Sequence, residues 1–249
     1  MNECRLIRSE PASGAMNMAL DVALLTSAAD VEGMPTLRIY RWARPTLSLG
    51  YFQRANDREG HQASRECELI RRPSGGGAIL HHHELTYSLA LPATIAKTRP
   101  ATQWYFDVHH ALIASIGELT GDEAVLCNDP PKLPASQEPF LCFQRRASGD
   151  VLLNEHKIAG SAQRRGRDAI LQHGSVLLSR SLCAPELDGI SDLTSQLMTF
   201  DELAEQFVVV LAERLGLRLN AAEPTRQEID TAESLAADKY SQSAWLLRR

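Results

Sequence analysis

The sequence predicts an α+β fold, a mixed, mostly antiparallel sheet with helices packed on it. Two observations point there. Short apolar, strand-like runs separated by turn residues come in two groups, 37–91 and 150–178, and helical periodicity is concentrated outside them, most clearly from about residue 199 onward. No internal repeat or low-complexity tract interrupts this order, so all 249 residues are expected to form one domain with a helical C-terminal part.

Taken in order, 15–29 reads as the first helix, with Met16, Ala19, Leu20, Ala23 and Leu24 on one face. Strands are expected over 37–42, 46–53 and 68–72, Pro45 marking the first turn, and again over 78–81 and 85–91. Residues 102–119 read as a second helix whose inward positions, Phe106, His109, His110, Ile113 and Ile116, are only roughly periodic. The stretch 128–139, NDPPKLPASQEP, must be a loop, and a dozen irregular residues inside a compact domain are more often functional or mobile than decorative. It ends at Phe140-Leu141-Cys142-Phe143, which places Cys142 where the loop rejoins the sheet. A hairpin follows, 150–153 and 157–163 around a turn at 154–156, then a strand over 169–178 after the basic turn RRGRD. Thr199 with Glu202 and Thr225 with Glu228 are capping boxes that open two helices, and Gly216 stops the first.

Composition excludes several classes. A net charge of −5 argues against bulk nucleic-acid binding, and no apolar run approaches the ~20 residues of a membrane span. The N-terminus MNECRLIRSEPASG lacks the apolar core of a secretory signal, so a cytoplasmic protein without nucleic-acid or membrane partners is expected. Five cysteines, an odd number without CxxC spacing, read as reduced thiols.

The densest chemical signal is RRPSGGGAILHHH, 71–83. Three successive glycines cost backbone entropy and pack nothing, so their use is a close approach to a ligand or a turn with positive φ; a tight hairpin without ligand is the plainer reading. Arg71, Arg72 and His81 would stand close to that loop. His81, His82 and His83 cannot all bind one ion, since successive strand residues face opposite ways, and no metal is expected. In KIAGSAQ, 157–163, the small residues at 159–162 build little core, so something large should lie against them, with Lys157 pointing into that space; a surface hairpin lysine is the alternative. Cys142 is either a small buried hydrophobe or, beside an ammonium, a nucleophile. His173-Gly174 completes the set. Arg164, Arg165 and Arg167 read as a solvated turn or as a surface for acidic carrier domains.

The ordered motifs RRPSGGGAILH, KIAGSAQRR and ILQHGSVLL, with MNMALDVALL, RWARPTLSLGYFQ and the closing ADKYSQSAWLLRR, resemble the lipoate–protein ligase and lipoyl/octanoyl-transferase family over nearly the whole chain. The resemblance implies the biotin/lipoate ligase catalytic-domain fold. ATP-dependent ligases of the family usually carry HDxGN after the glycine loop and a GRND-like segment before the lysine strand. Here HHHELTYS and LCFQRRASGDVLL stand there, and the ELTYS segment and Cys-Phe pair look like the octanoyltransferase (LipM) type. In that type the residues matching Cys142 and Lys157 are the thioester-forming cysteine and the lysine that favours its thiolate. The resemblance also implies a substrate site from Arg72, Ser74, Gly75, Gly76, Gly77, His81, Gly160, Ser161, Ala162, His173 and Gly174. The donor would be octanoyl-acyl carrier protein, the acceptor a lysine of a lipoyl-domain protein such as glycine cleavage H protein. No cofactor would be required, ATP and Mg belonging only to the ligase alternative. His82 replaces the family's common aspartate, at the expected pocket mouth. The alternatives are an ATP-dependent lipoate ligase, an octanoyl amidotransferase between lipoyl domains and a non-catalytic acyl-binding module.

Overall fold

A computed structural model of the chain describes residues 2–30, 32–131, 134 and 137–248. Positions 132, 133, 135 and 136 of the loop expected at 128–139 lie outside the described residues. Strand β1 (Asn2–Arg8) leads to Ser13, whose hydroxyl accepts from Met16 N at 3.3 Å and caps helix α1 (Gly14–Ala28). Next come β2 (Thr36–Tyr40), β3 (Thr46–Leu49), β4 (Glu68–Arg71), β5 (Ile79–His81) and β6 (Glu84–Pro92). The short α2 (Ala93–Ala96) and long α3 (Ala101–Thr120) precede β7 (Val125–Leu126), β8 (Val151–Leu153), β9 (His156–Arg165) and β10 (Ala169–Leu177). The chain then forms α4 (Ile190–Leu193), α5 (Phe200–Leu215), β11 (Leu217–Ala221), α6 (Arg226–Leu235) and α7 (Ser243–Leu246).

Eight strands make the main sheet in the order β11-β1-β2-β6-β10-β9-β8-β7. β1 runs parallel to β11 and β2, and the remaining pairs are antiparallel. Strand alternation sends the two faces to different helices. Leu37 and Ile39 of β2 join Tyr87, Leu112, Phe207 and Leu211 in the core under α3 and α5. Tyr40 joins Leu20, Leu24, Leu171 and Tyr240 in the core under α1 and α6. A second sheet, β4-β3-β5, forms a third apolar cluster with Leu141 and Phe143.

Four expectations need correction. β1 and β11 were not foreseen: they pair with each other across most of the chain's length, which no local pattern announces. The strand expected over 46–53 stops at Leu49, because the chain must turn at Gly50, where a Cβ would lie 2.0 Å from Gly76 O. The buried face of α3 runs through Trp104, Val108, Leu112 and Ile116, while Phe106, His110 and Ile113 are half-buried; the bulky Trp104 and aliphatic residues claim the core. The hairpin turn has two residues, Asn154 and Glu155, both with positive φ (47° and 65°), so His156 already belongs to β9.

Candidate active site

The glycine run does not close a hairpin. β4 and β5, the strands on either side of it, both pair with β3 and not with each other. The intervening loop is held from inside by Arg72, whose buried guanidinium donates to Ser48 O at 2.8 Å, Gly75 O at 2.9 Å and Gly77 O at 2.5 Å. Burial lowers Arg72 to about 10. Gly76 has φ +97°, and a Cβ on Gly77 would lie 3.1 Å from Cys142 Cα. Arg71 does not help at this loop: it points the other way, donating to Gly50 O at 2.9 Å and to Leu246 O at 2.8 Å.

Cys142 lies in a 3-10 turn (Cys142–Gln144) and not in a strand, because among the described residues the preceding loop meets the sheet through a lone bridge between Ala78 and Leu141. Its N–H donates to Ala78 O at 2.6 Å, which fixes the residue beside the glycine loop. Lys157 reaches the same place from β9. Its Nζ is 2.7 Å from Asp150 Oδ2, 3.5 Å from Cys142 O and 3.9 Å from Cys142 Sγ. The small residue at 160 makes room for this lysine, since a Cβ on Gly160 would sit 2.7 Å from Lys157 Cε and 3.2 Å from Asp150 Oδ1. Asp150 also accepts from Ala147 N at 2.7 Å. Burial raises its carboxyl above the ordinary value, with Lys157 pulling it back.

A cavity of about 380 Å³ opens beside this trio, within the range of small-molecule pockets. Arg72, Gly75, Gly76, His81, Cys142, Lys157, Gly160, Ser161, Ala162, His173 and Gly174 line it, joined by the apolar or aromatic Met18, Tyr40, Trp42, Ile79, Tyr105 and Phe143. Ser74 and Gly77 stand behind the wall. Ser74 Oγ is 2.8 Å from His173 Nε2, and burial pushes His173 down to about 4, so the ring is neutral near pH 7. His81 stacks on Trp42 at 3.8 Å and bonds Ser48 Oγ at 2.8 Å and Glu84 Oε1 at 2.7 Å. Ser161 Oγ bonds Tyr87 OH and, at 2.5 Å, His109 Nε2. Burial pushes His109 down to about 4 as well.

His82 is not at the pocket mouth. It bonds Ser181 Oγ at 2.8 Å and stacks on His83 outside the cavity, because alternation turns it away from His81. Among the described residues no group of three or more His, Cys, Asp or Glu is placed to hold a metal. Sequence reasoning missed Asp150, His109 as a polar partner, and Tyr105. For Asp150 a signal existed. A two-residue turn pairs Leu152 with Lys157, and the acid two residues before Leu152 comes round to the lysine's side.

The chain matches the lipoyl protein ligase A/B catalytic domain over residues 13–211. It is 32% identical to the octanoyltransferase LipM of Kyrpidia tusciae, with all of both chains covered. It is 31% identical to that of Bacillus anthracis, with 96% of each covered. The solved structure of Ta0514 from T. acidophilum with bound lipoic acid matches at TM-score 0.80 and 25% identity, covering 99% of this chain and 100% of that one. A lipoate-protein ligase A bound with ATP shares the fold at TM-score 0.79 and 24% identity, with 98% of each chain covered.

Proposed function

The chain belongs to the lipoyl protein ligase A/B catalytic-domain family and, by full-length similarity, to its LipM octanoyltransferases acting in protein lipoylation; from that premise we propose a cysteine-thioester route. An octanoyl group passes from octanoyl-acyl carrier protein to Cys142, and from there to a lysine of a lipoyl-domain protein such as glycine cleavage H protein. The observation that carries this reading is the convergence of Cys142 Sγ with the Lys157–Asp150 pair, 3.9 Å from the ammonium, on one wall of a largely apolar cavity.

The steps balance on these groups. The ammonium favours negative charge on the Cys142 sulfur, which attacks the donor's thioester carbonyl. The carrier thiol leaves with a proton from Lys157. The acceptor amine then attacks the new thioester, its proton returns to Lys157 and the Cys142 thiolate departs. The N–H of Gly76, which lines the cavity beside Cys142, donates to nothing else among the described residues, so it suits the developing oxyanion. Each methylene of the acyl chain buried in the cavity contributes roughly 0.8 kcal/mol. The donor thioester is already activated, so this route requires no ATP. Free thiols at all five cysteines suit the reducing cytoplasm, where we place the reaction.

Intact-protein mass after mixing with octanoyl-acyl carrier protein, without ATP, tests the proposal. One octanoyl adduct, labile to hydroxylamine and missing from Cys142→Ser, is expected. No adduct on the parent protein, with lipoate-dependent ATP consumption instead, would replace it with the ligase reading.

A further inference from the structure

The tail of the chain builds a cationic, aromatic patch beside the cavity that the reaction above leaves unused. α7 is strapped to the base of the glycine loop. Arg71 Nε and Nη2 donate to Leu246 O at 3.0 and 2.8 Å, and Trp245 Nε1 donates to Arg71 O at 2.9 Å. The Trp245 ring then carries two cations, Lys239 Nζ at 4.2 Å from its centre and the Arg248 guanidinium at 4.9 Å. Arg248 also covers Tyr51, at 4.1 Å.

Arg164 supplies a third cation from β9. Gly160, Ala162 and Arg164 share one face of that strand; the first two line the cavity and the third is exposed beyond them. Opposite Arg164 stands Leu171 of β10, which packs in one cluster with Tyr240 and Trp245. Burial, Arg164 and Arg248, in that order, lower Lys239 below the ordinary lysine value. Among the described residues none of the three cations is paired with a carboxylate, although the chain as a whole carries −5. Like charges held together without a counterion are costly, and a bound anion relieves that cost. The patch borders the cavity through Tyr51, whose N–H donates to Ser74 O at 2.8 Å, and Phe52, whose ring lies 3.8 Å from the Cβ position of Gly75.

We propose that Lys239 and Arg248 on the Trp245 ring, with Arg164 on the strand beside them, seat the phosphate of a phosphopantetheine thioester donor while its acyl chain enters the cavity toward Cys142. The inference rests on the thioester route proposed above. Two cations on one indole, with a third on the adjoining strand, suit a single compact anion better than the spread carboxylates of a protein surface.

The test compares rates of Cys142 acylation from octanoyl-pantetheine, octanoyl-phosphopantetheine and octanoyl-acyl carrier protein. It uses the parent and an Arg164→Gln, Lys239→Gln, Arg248→Gln triple variant. With both phosphate-bearing donors the variant should lose tenfold or more in kcat/KM, chiefly through KM, together with most of the salt dependence. With octanoyl-pantetheine it should stay within twofold. Equal loss with all three donors, loss with the carrier protein alone, or no loss would each overturn the proposal. Arg164→Gln, remote from the tail in sequence, repeats the comparison if the triple variant does not fold. Calorimetry with phosphopantetheine itself decides the seat even if no donor acylates Cys142. Binding by the parent and not by the variant would then uphold the seat while the thioester route failed; equal binding by both would overturn it.

Discussion

Two buried aspartates near the cavity are each bonded to one cation, and they are used differently. Asp21 is saturated. Its Oδ1 accepts from Arg38 Nη1 at 2.9 Å and Ser88 Oγ at 2.8 Å, and its Oδ2 from Tyr40 OH at 2.9 Å. Arg38 in turn spends its remaining fork on Asn17 Oδ1 at 2.7 Å and Ser9 Oγ at 2.8 Å. The Asp150–Lys157 pair is left open. The ammonium has three protons and one close acceptor, Asp150 at 2.7 Å, and its other neighbours are Cys142 O at 3.5 Å and Sγ at 3.9 Å. A planar guanidinium fills every direction of a fixed network, whereas a compact ammonium can hold one partner and still face a reacting atom. The use of a buried charge is therefore read from what it leaves unsatisfied.

That contrast can be broken at either pair. Removing the nucleophile should have the largest effect: Cys142→Ser is expected to abolish octanoyl transfer with an unchanged urea midpoint, and normal turnover would exclude covalent catalysis at that position. Lys157→Arg should lower the acylation rate by roughly 10²–10⁴-fold, because a fork cannot reproduce a point donor in the space left over Gly160. Retained activity would remove Lys157 from the reaction.

At the saturated pair the effect should appear in stability instead. Arg38→Met strands a buried carboxylate and should cost about 3–5 kcal/mol in urea unfolding, with the rate per folded molecule nearly unchanged. A loss of rate without a loss of stability would erase the distinction between the two pairs.

Acid should act on the scaffold in the same way. His109 and His173 are held at about 4 when folded, against 6.5 unexposed to the fold. The unfolded chain therefore binds more protons between those values, and stability falls as pH drops from about 6.5 to about 4, by roughly 3 kcal/mol for each ring. Denaturation midpoints measured from pH 7 to pH 4 check this, and a flat profile would show that neither ring stays neutral in the fold. The smallest effect is expected at Asp150→Asn, about tenfold on acylation, because the lysine then loses the close acceptor that holds it beside Cys142. An unchanged acylation rate would make Asp150 a packing residue only.

Much of the architecture could be read from local signals. Thr199 and Thr225 cap α5 and α6 with Glu202 and Glu228 as expected, because a capping box joins residues three apart. The α1 helix and the β8–β9 hairpin follow from periodicity in the same local sense. Contacts between distant residues were not legible. Glu228, chosen as a capping residue, also binds Arg5 of β1 at 2.7 Å, and Asp21 inside an apolar helix turned out to anchor a polar network.

By itself the sequence determined which residue types were out of place for a plain core: three successive glycines, small residues along β9, one lysine and one cysteine near a proline-rich loop. It also determined where helices begin and end, since caps and periodic faces involve neighbours within a turn or two. Tertiary structure alone decided that Arg72 threads the glycine loop, that Asp150 stands beside Lys157, and that the C-terminal tail bonds Arg71 at the end of β4. Those partners come from separate strands and loops, and such meetings depend on how the sheet is ordered, which short-range propensity does not encode.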